Sequence, residues 1–174
     1  GTTHTERYWD VWDYTKPLTN ATEEEIAKLI IDEMRTFVQY RKVSDVPVGV
    51  FLSGGIDSST KTALFSEGEN QAVKTFSIGF DEADFDELAF ARQVAARYGT
   101  DHYEMVVKPN ALEVLPKLAW HFDEPFADSS AIPTYYVSKI TREHVTVALS
   151  GDGGDENFAG YRRYRWFRYE ERMR

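Results

Sequence analysis

The chain has 174 residues, 42% of them hydrophobic and 28% charged, with a formal net charge of −9 at pH 7 and no cysteine. That length supports one domain with its own hydrophobic core. The acidic balance argues against a nucleic-acid surface over the whole molecule. The lack of cysteine removes disulfides, zinc thiolates and any thiol nucleophile. The sequence contains no apolar run of membrane-spanning length and no signal-peptide pattern, so a cytoplasmic protein without a membrane partner is expected. It opens on Gly1 and stops within a periodic pattern at Arg174, which suggests a piece of a longer polypeptide.

Residues 1–20 are aromatic and loop-like, with Tyr8, Trp9, Trp12 and Tyr14 ahead of Pro17, and read as a linker. Thr22 to Glu25 form a capping box, and Ile26, Leu29, Ile30, Phe37 and Val38 recur at helical spacing to about Lys42. Val46 to Leu52 is an apolar run of strand length, the pattern of a strand covered on both faces. Ser53-Gly54-Gly55 ends it, and a helix follows from about Asp57 to Glu67. The interior of that helix is polar at Lys61-Thr62, where a buried helix would favour apolar residues.

Val73 to Phe80 alternates as a second strand. Asp84 can cap the next helix, whose face is Leu88, Ala91, Ala95 and Tyr98 and whose end is Gly99. His102 to Val107 reads as a third strand. Pro109 then opens a helix with Leu112, Leu115, Leu118 and Ala119 on one face, and Pro116 threatens to kink it. After an acidic loop at 122–130, a helix from about Pro133 to Glu143 leads into a fourth strand, Val145 to Leu149. That strand ends in a second glycine loop, Ser150-Gly151-Asp152-Gly153-Gly154-Asp155-Glu156, and Phe158 to Arg174 reads as helix.

Strands alternating with helices imply an α/β fold, a parallel twisted sheet with helices on both faces. Ligands of such sheets bind at the carboxyl ends of strands, where the strand order reverses. Both glycine loops lie at strand ends, so they face each other if the first and fourth strands are neighbours. A glycine turn that opens a helix presents unpaired N–H groups and suits phosphate. The P-loop pattern G-x-x-x-x-G-K-S/T is absent, as is G-x-G-x-x-G. Asp57 and Asp155 are isolated acids beside glycines, and a carboxylate tolerates a phosphate when a cation sits between them. They suit Mg2+, which takes one or two carboxylates plus phosphate oxygens.

Ser53-Gly54-Gly55-Ile56-Asp57-Ser58 resembles the SGGxDS motif of the PP-loop ATP pyrophosphatases, enzymes with the adenine nucleotide alpha-hydrolase-like fold. Leu149 to Glu156 with Phe158 to Tyr161, Thr75 to Phe80, and Asp123 to Ser130 are similar to further motifs of the glutamine-dependent asparagine synthetase family. Asn157 and the polar Lys61-Thr62 depart from its pattern. The resemblance implies an ATP-pyrophosphatase domain over 21–174, incomplete at its C-terminal end, with 1–20 joining it to a glutaminase domain. It implies that Ser53, Gly54, Gly55, Asp57, Ser58 and Ser59 hold the β and γ phosphates and that Phe51, Leu52 and Ile78 meet adenine. Ser150 and Gly151 would meet the ribose or α phosphate, Asp57 and Asp155 would bind Mg2+, and Asp152 would be a catalytic acid. Asp128, Ser129 and Ser130 would lie near the acceptor. The implied substrates are ATP, aspartate and ammonia, and a homodimer is compatible with the family. With no cysteine and with later substrate contacts absent, this stretch alone is expected to bind ATP weakly without making asparagine.

Adenylation of another acceptor, as in β-lactam synthetases or polysaccharide-pathway amidotransferases, fits the same motifs, and a non-catalytic nucleotide-binding domain is the reading of a different class. Tyr161 to Arg168 interleaves bases and aromatics, yet in an acidic chain it reads better as a helix whose aromatic face is covered by a missing C-terminal portion than as an RNA contact. His4, His102, His121 and His144 lack ligand spacing, and no G-x-S-x-G elbow is present.

Overall fold

The computed structural model describes residues 1–80, 87–108 and 110–173. The elements are α1 (Glu23–Lys42), β1 (Val48–Phe51), α2 (Ile56–Ser66), β2 (Lys74–Phe80), α3 (Leu88–Tyr98), β3 (Asp101–Val107), α4 (Ala111–Phe122), α5 (Ala131–Arg142), β4 (Val147–Leu149), α6 (Gly154–Phe158) and α7 (Arg162–Met173). A short 3-10 turn at Val11–Asp13 interrupts the aromatic lead-in. The capping box forms as the sequence predicts. Thr22 Oγ1 accepts from the Glu25 N–H at 3.2 Å, and the Glu25 carboxylate accepts from the Thr22 N–H at 2.8 Å. Asp84 and Pro109, expected to start the helices before and after the third strand, lie outside the described residues.

The four strands form one parallel sheet in the order β3-β2-β1-β4. One face carries α1, α2 and α3. Val38 of α1 and Leu64 and Phe65 of α2 close over Val50 and Val73, while Ala91 and Ala95 of α3 cover Leu52. The other face carries α5 against β2 and β3, beside a stack of Phe76, Tyr103 and His144. The chain runs outward from β1 to β3 through helices on one face. It then returns past β1 to β4 by way of the opposite face, as right-handed crossovers require when the direction of travel reverses. No helix among the described residues is long and apolar enough to cross a membrane.

Several predicted details differ. Leu112 and Leu115 of α4 are exposed, and the buried face is Val114 and Leu118, which pack on Ala131 of α5. These two are four residues apart and therefore share a face. Pro116 lies within α4 without ending it. Tyr98 is exposed at the end of α3. The predicted last helix starts later than Phe158, as α7 at Arg162, and a short helix, α6, forms in the stretch read as the second glycine loop and ends where Ala159 takes a left-handed conformation (φ 56°).

The turn after β1 is fixed by close packing. Gly54 has φ 84°, and a Cβ there would lie 2.6 Å from Phe90 Cβ and 2.8 Å from the Ala91 nitrogen of α3. Both the conformation and the contact exclude a side chain. Gly54→Ala should therefore lower stability in urea denaturation by about 2–4 kcal/mol, from left-handed strain and overpacking together.

On the α3 side of the sheet, Thr75 Oγ1 lies 2.8 Å from Thr100 Oγ1 and 2.9 Å from His102 Nδ1. The other ring nitrogen, Nε2, is buried without a hydrogen-bond partner. Burial holds the imidazole below its ordinary pKa of 6.5, against the weaker upward pull of Glu104. The unfolded chain binds this proton more readily than the folded chain does. The contribution is therefore complete above about pH 6.5 and is lost as pH falls below it. Between about pH 7.5 and pH 5.5 the native protein should lose more thermal stability than His102→Gln, read as the difference between their melting shifts.

Candidate functional site

β1 pairs with β4 in register Val48 to Val147, Gly49 to Ala148 and Val50 to Leu149. Both strands run the same way, so the loops after Phe51 and after Leu149 emerge side by side. The first loop is held by two hydroxyls. Ser58 Oγ accepts from the Ser53 N–H at 3.2 Å, lies 2.9 Å from Ser53 Oγ and donates to the Gly55 carbonyl at 3.2 Å. Gly55 is the N-cap of α2 and offers no capping side chain, so the helix start remains open toward the loop. Asp57 sits in the first turn and does not cap its helix.

Two cavities meet at these loops. The larger, about 830 Å³, is lined by Ser53, Asp57, Asp152, Asp155 and Glu156, with Ile30 and Met34 of α1 on its far wall. The smaller, about 400 Å³, is lined by Phe51, Leu52, Phe76 and Ile78 of the strand ends and by Pro133 and Val137 of α5. Ser53, Ser58 and Gly151 line both. The larger is acidic and the smaller mainly apolar. Together they offer space for a flat apolar ring in one chamber and a charged group in the other.

The acids differ in their surroundings. The Asp57 carboxylate rests on Gly154, where a Cβ would collide with Oδ2. Gly154 is thus the residue that lets the first loop's acid reach the second loop. The Asp155 carboxylate turns toward Gly160, and Asp152 accepts from Ser150 Oγ at 2.6 Å. Glu156 accepts from the Tyr161 hydroxyl at 2.6 Å, a bond that pushes the phenol up to about 12 and draws the carboxyl below its ordinary range. Among the described residues, no group of three or more His, Cys, Asp or Glu is placed to hold a metal ion. Asp57 and Asp155 both line the larger cavity, and a pair of carboxylates is the kind of donor set that Mg2+ takes beside water and phosphate oxygens.

Not every expected residue joins this site. Ser59 Oγ is buried without a partner, and Ser59 lines neither cavity but a neighbouring hollow with Ile31 and Arg35. Asp128 and Ser129 line a separate hollow of about 490 Å³ between α4 and α5, and Asp128 accepts from the Ser130 N–H at 2.8 Å. That bond, chiefly, holds its carboxyl below the ordinary range, with Arg163 of α7 adding to it.

Lys61 was legible only as an anomaly, a lysine inside a helix that should be apolar. Its ammonium is buried, has no hydrogen-bond partner and lies 3.6 Å from the Cβ position of Gly151. Burial pulls its pKa below the ordinary lysine value, while Asp152 and Asp57 pull the other way. The wall from α1 carried no sequence signal beyond a helical apolar face.

The asparagine synthase family model matches residues 30–174. The chain is 46% identical over 144 residues to asparagine synthetase (glutamine-hydrolyzing) 1 of Bacillus subtilis, covering 82% of this chain and 23% of that protein. It is 45% identical over 158 residues to a Methanocaldococcus jannaschii protein that carries an asparagine synthetase name, covering 88% of this chain and 30% of the relative. It therefore spans less than a third of the length of these two relatives. Among solved structures, an NH3-dependent NAD synthetase from Campylobacter jejuni matches with a TM-score of 0.50 at 17% identity, over 77% of this chain and 60% of that one, a likeness of fold. The fold is that of the PP-loop adenine nucleotide alpha-hydrolases, and the chain belongs to the asparagine synthase family.

Proposed function

We propose that this chain is the ATP-binding part of an amide-forming ligase that adenylates the side-chain carboxylate of aspartate. The observation that carries the reading is the pairing of β1 with β4, which puts both glycine loops on one pair of joined cavities. On this reading adenine occupies the apolar chamber against Phe51, Leu52 and Ile78. The polyphosphate lies in the larger chamber along Ser53, Gly54, Gly55, Asp57 and Ser58, with Ser150 and Gly151 at the ribose and α phosphate.

A carboxylate oxygen of aspartate attacks the α phosphorus. The bond from that phosphorus to the bridging oxygen breaks, and pyrophosphate leaves with the electron pair, giving β-aspartyl-AMP. Ammonia then attacks the acyl carbon, AMP leaves with the acyl oxygen, and loss of a proton gives asparagine. The N–H groups at the α2 start and the loop serines offer donors to the departing anion without reorganisation. Asp152, oriented by Ser150, is the acid at the reacting end. Mg2+ bound with ATP would take Asp57 and Asp155 and neutralise phosphate charge. The chain has no cysteine, so release of ammonia from glutamine by a thiol falls to another domain.

Pyrophosphate release by the full-length protein tests the assignment. Release that requires both ATP and aspartate, with asparagine formed when ammonia is supplied, is the expected result. Release with a different carboxylate acceptor alone assigns the same adenylation to another product, and silence with all acceptors overturns the enzymatic reading. A second measurement addresses Asp57. Gly154→Ala leaves the backbone unstrained but sets a methyl against the Asp57 carboxylate. It should slow pyrophosphate release about 10- to 100-fold, through misplacement of that acid, with little change in melting temperature.

A further inference from the structure

α2 carries two charges on one face. Asp57 and Lys61 are four residues apart, one turn along the helix, so both side chains face the second glycine loop. Asp57 meets it at Gly154 and Lys61 meets it at Gly151. Gly151 is one of the residues shared by the two cavities. In a nucleoside polyphosphate the α-phosphate joins the nucleoside to the remaining phosphates. A nucleotide that fills both chambers therefore has its α-phosphate at their junction.

Lys61 lines neither cavity, but its ammonium lies directly behind Gly151, 3.6 Å from the Cβ position of that shared residue, and is unsatisfied. Its nitrogen is buried and has no acceptor, although it carries three N–H donors. Asp152 and Asp57 attract it without reaching it as hydrogen-bond partners. A buried cation without acceptors is costly, and such groups are retained where something else completes them. Thr62, its neighbour on the same helix, has no such need, because its hydroxyl donates to the Ser58 carbonyl at 2.8 Å. The acids nearby favour a cation in this place but leave its donors free.

We propose that Lys61 is an α-phosphate-binding residue, donating from its buried ammonium to a nucleotide held across the two glycine loops at Gly151. This rests on the ATP reading above and assigns to it a contact that the loop motifs do not contain. Lysine acts on phosphate as a point charge with several donors, so one side chain can follow the α-phosphate from ATP to the adenylate.

Binding of adenosine, AMP and α,β-methylene-ATP to the full-length protein tests the proposal by calorimetry. Lys61→Met keeps the stem and removes the charge, and Lys61→Gln does the same with a polar end should the first variant fold poorly. Either variant should lose about tenfold or more in affinity for AMP and for the ATP analogue, as expected for one charged hydrogen bond, and keep its affinity for adenosine within about twofold. Its melting temperature should be unchanged or raised. Equal loss for adenosine and AMP overturns the proposal in favour of a packing role, and so does unchanged binding of all three. Failure of the unmodified protein to bind either nucleotide instead overturns the ATP reading together with this one.

Discussion

The site depends on three residues of β4 lying in parallel register beside β1. β4 is the shortest strand of the sheet and sits at its edge, with Val147 partly exposed. What holds it is the pairing itself, lengthened by the Thr146 N–H donating to the Pro47 carbonyl at 3.3 Å, together with buried Val145 and the packing of Leu149 on the α1–α2 core. Without that register the two glycine loops would be unrelated turns. With it, each strand end delivers a loop to the same point, the place where strand order reverses and where a crevice opens between connections on opposite faces.

α2 accommodates a polar interior by closing three of its hydroxyls on its own backbone. Thr60, Thr62 and Ser66 each donate to the carbonyl four residues earlier, at 2.8 Å in all three cases. These bonds let Thr62 be fully buried without an orphaned hydroxyl. They leave the Asp57–Lys61 face free for the second loop while Leu64 and Phe65 anchor the helix to the sheet. Arg35 adds an exposed clamp from α1, with Nε and Nη2 on the Glu67 carboxylate at 2.6 and 3.2 Å. Such an exposed pair contributes little to stability.

Much of this was legible in the sequence. The capping box at Thr22, the strands, and the glycine ends at Gly54 and Gly99 follow from local chemistry. The pairing of the first and fourth strands followed only as a condition, because register between distant strands is set by tertiary packing and not by local pattern. The miss in α4 has the same origin. Leu112, Leu115 and Val114 are all apolar, and only the position of α5 decides that Val114 is the one buried. The chain starts α2 at Ile56, one residue earlier than predicted, so Gly55 is its N-cap and Asp57 lies in its first turn. Ser59 matches its motif in sequence, yet helical rotation turns it from the loop toward α1. Lys61 fits no motif, and its place emerged only when Gly151 was seen to lie beside it.

The charge of the larger cavity constrains what can enter it. Asp57, Asp152, Asp155 and Glu156 all line its wall, and among the described residues no lysine or arginine lines it. A bare polyphosphate in this cavity would meet four carboxylates of its own sign of charge. The open start of α2 supplies only the partial charge of a helix terminus. On the reading proposed here, the remaining positive charge comes from two directions: from cations that arrive with the nucleotide, and from the ammonium beneath Gly151. The first neutralises the outer phosphates, which are the part that departs. The second stays with the chain and faces the phosphate that becomes the adenylate. On that reading, an acidic wall backed by a fixed cation beside Gly151 would favour release of pyrophosphate and retention of the activated intermediate.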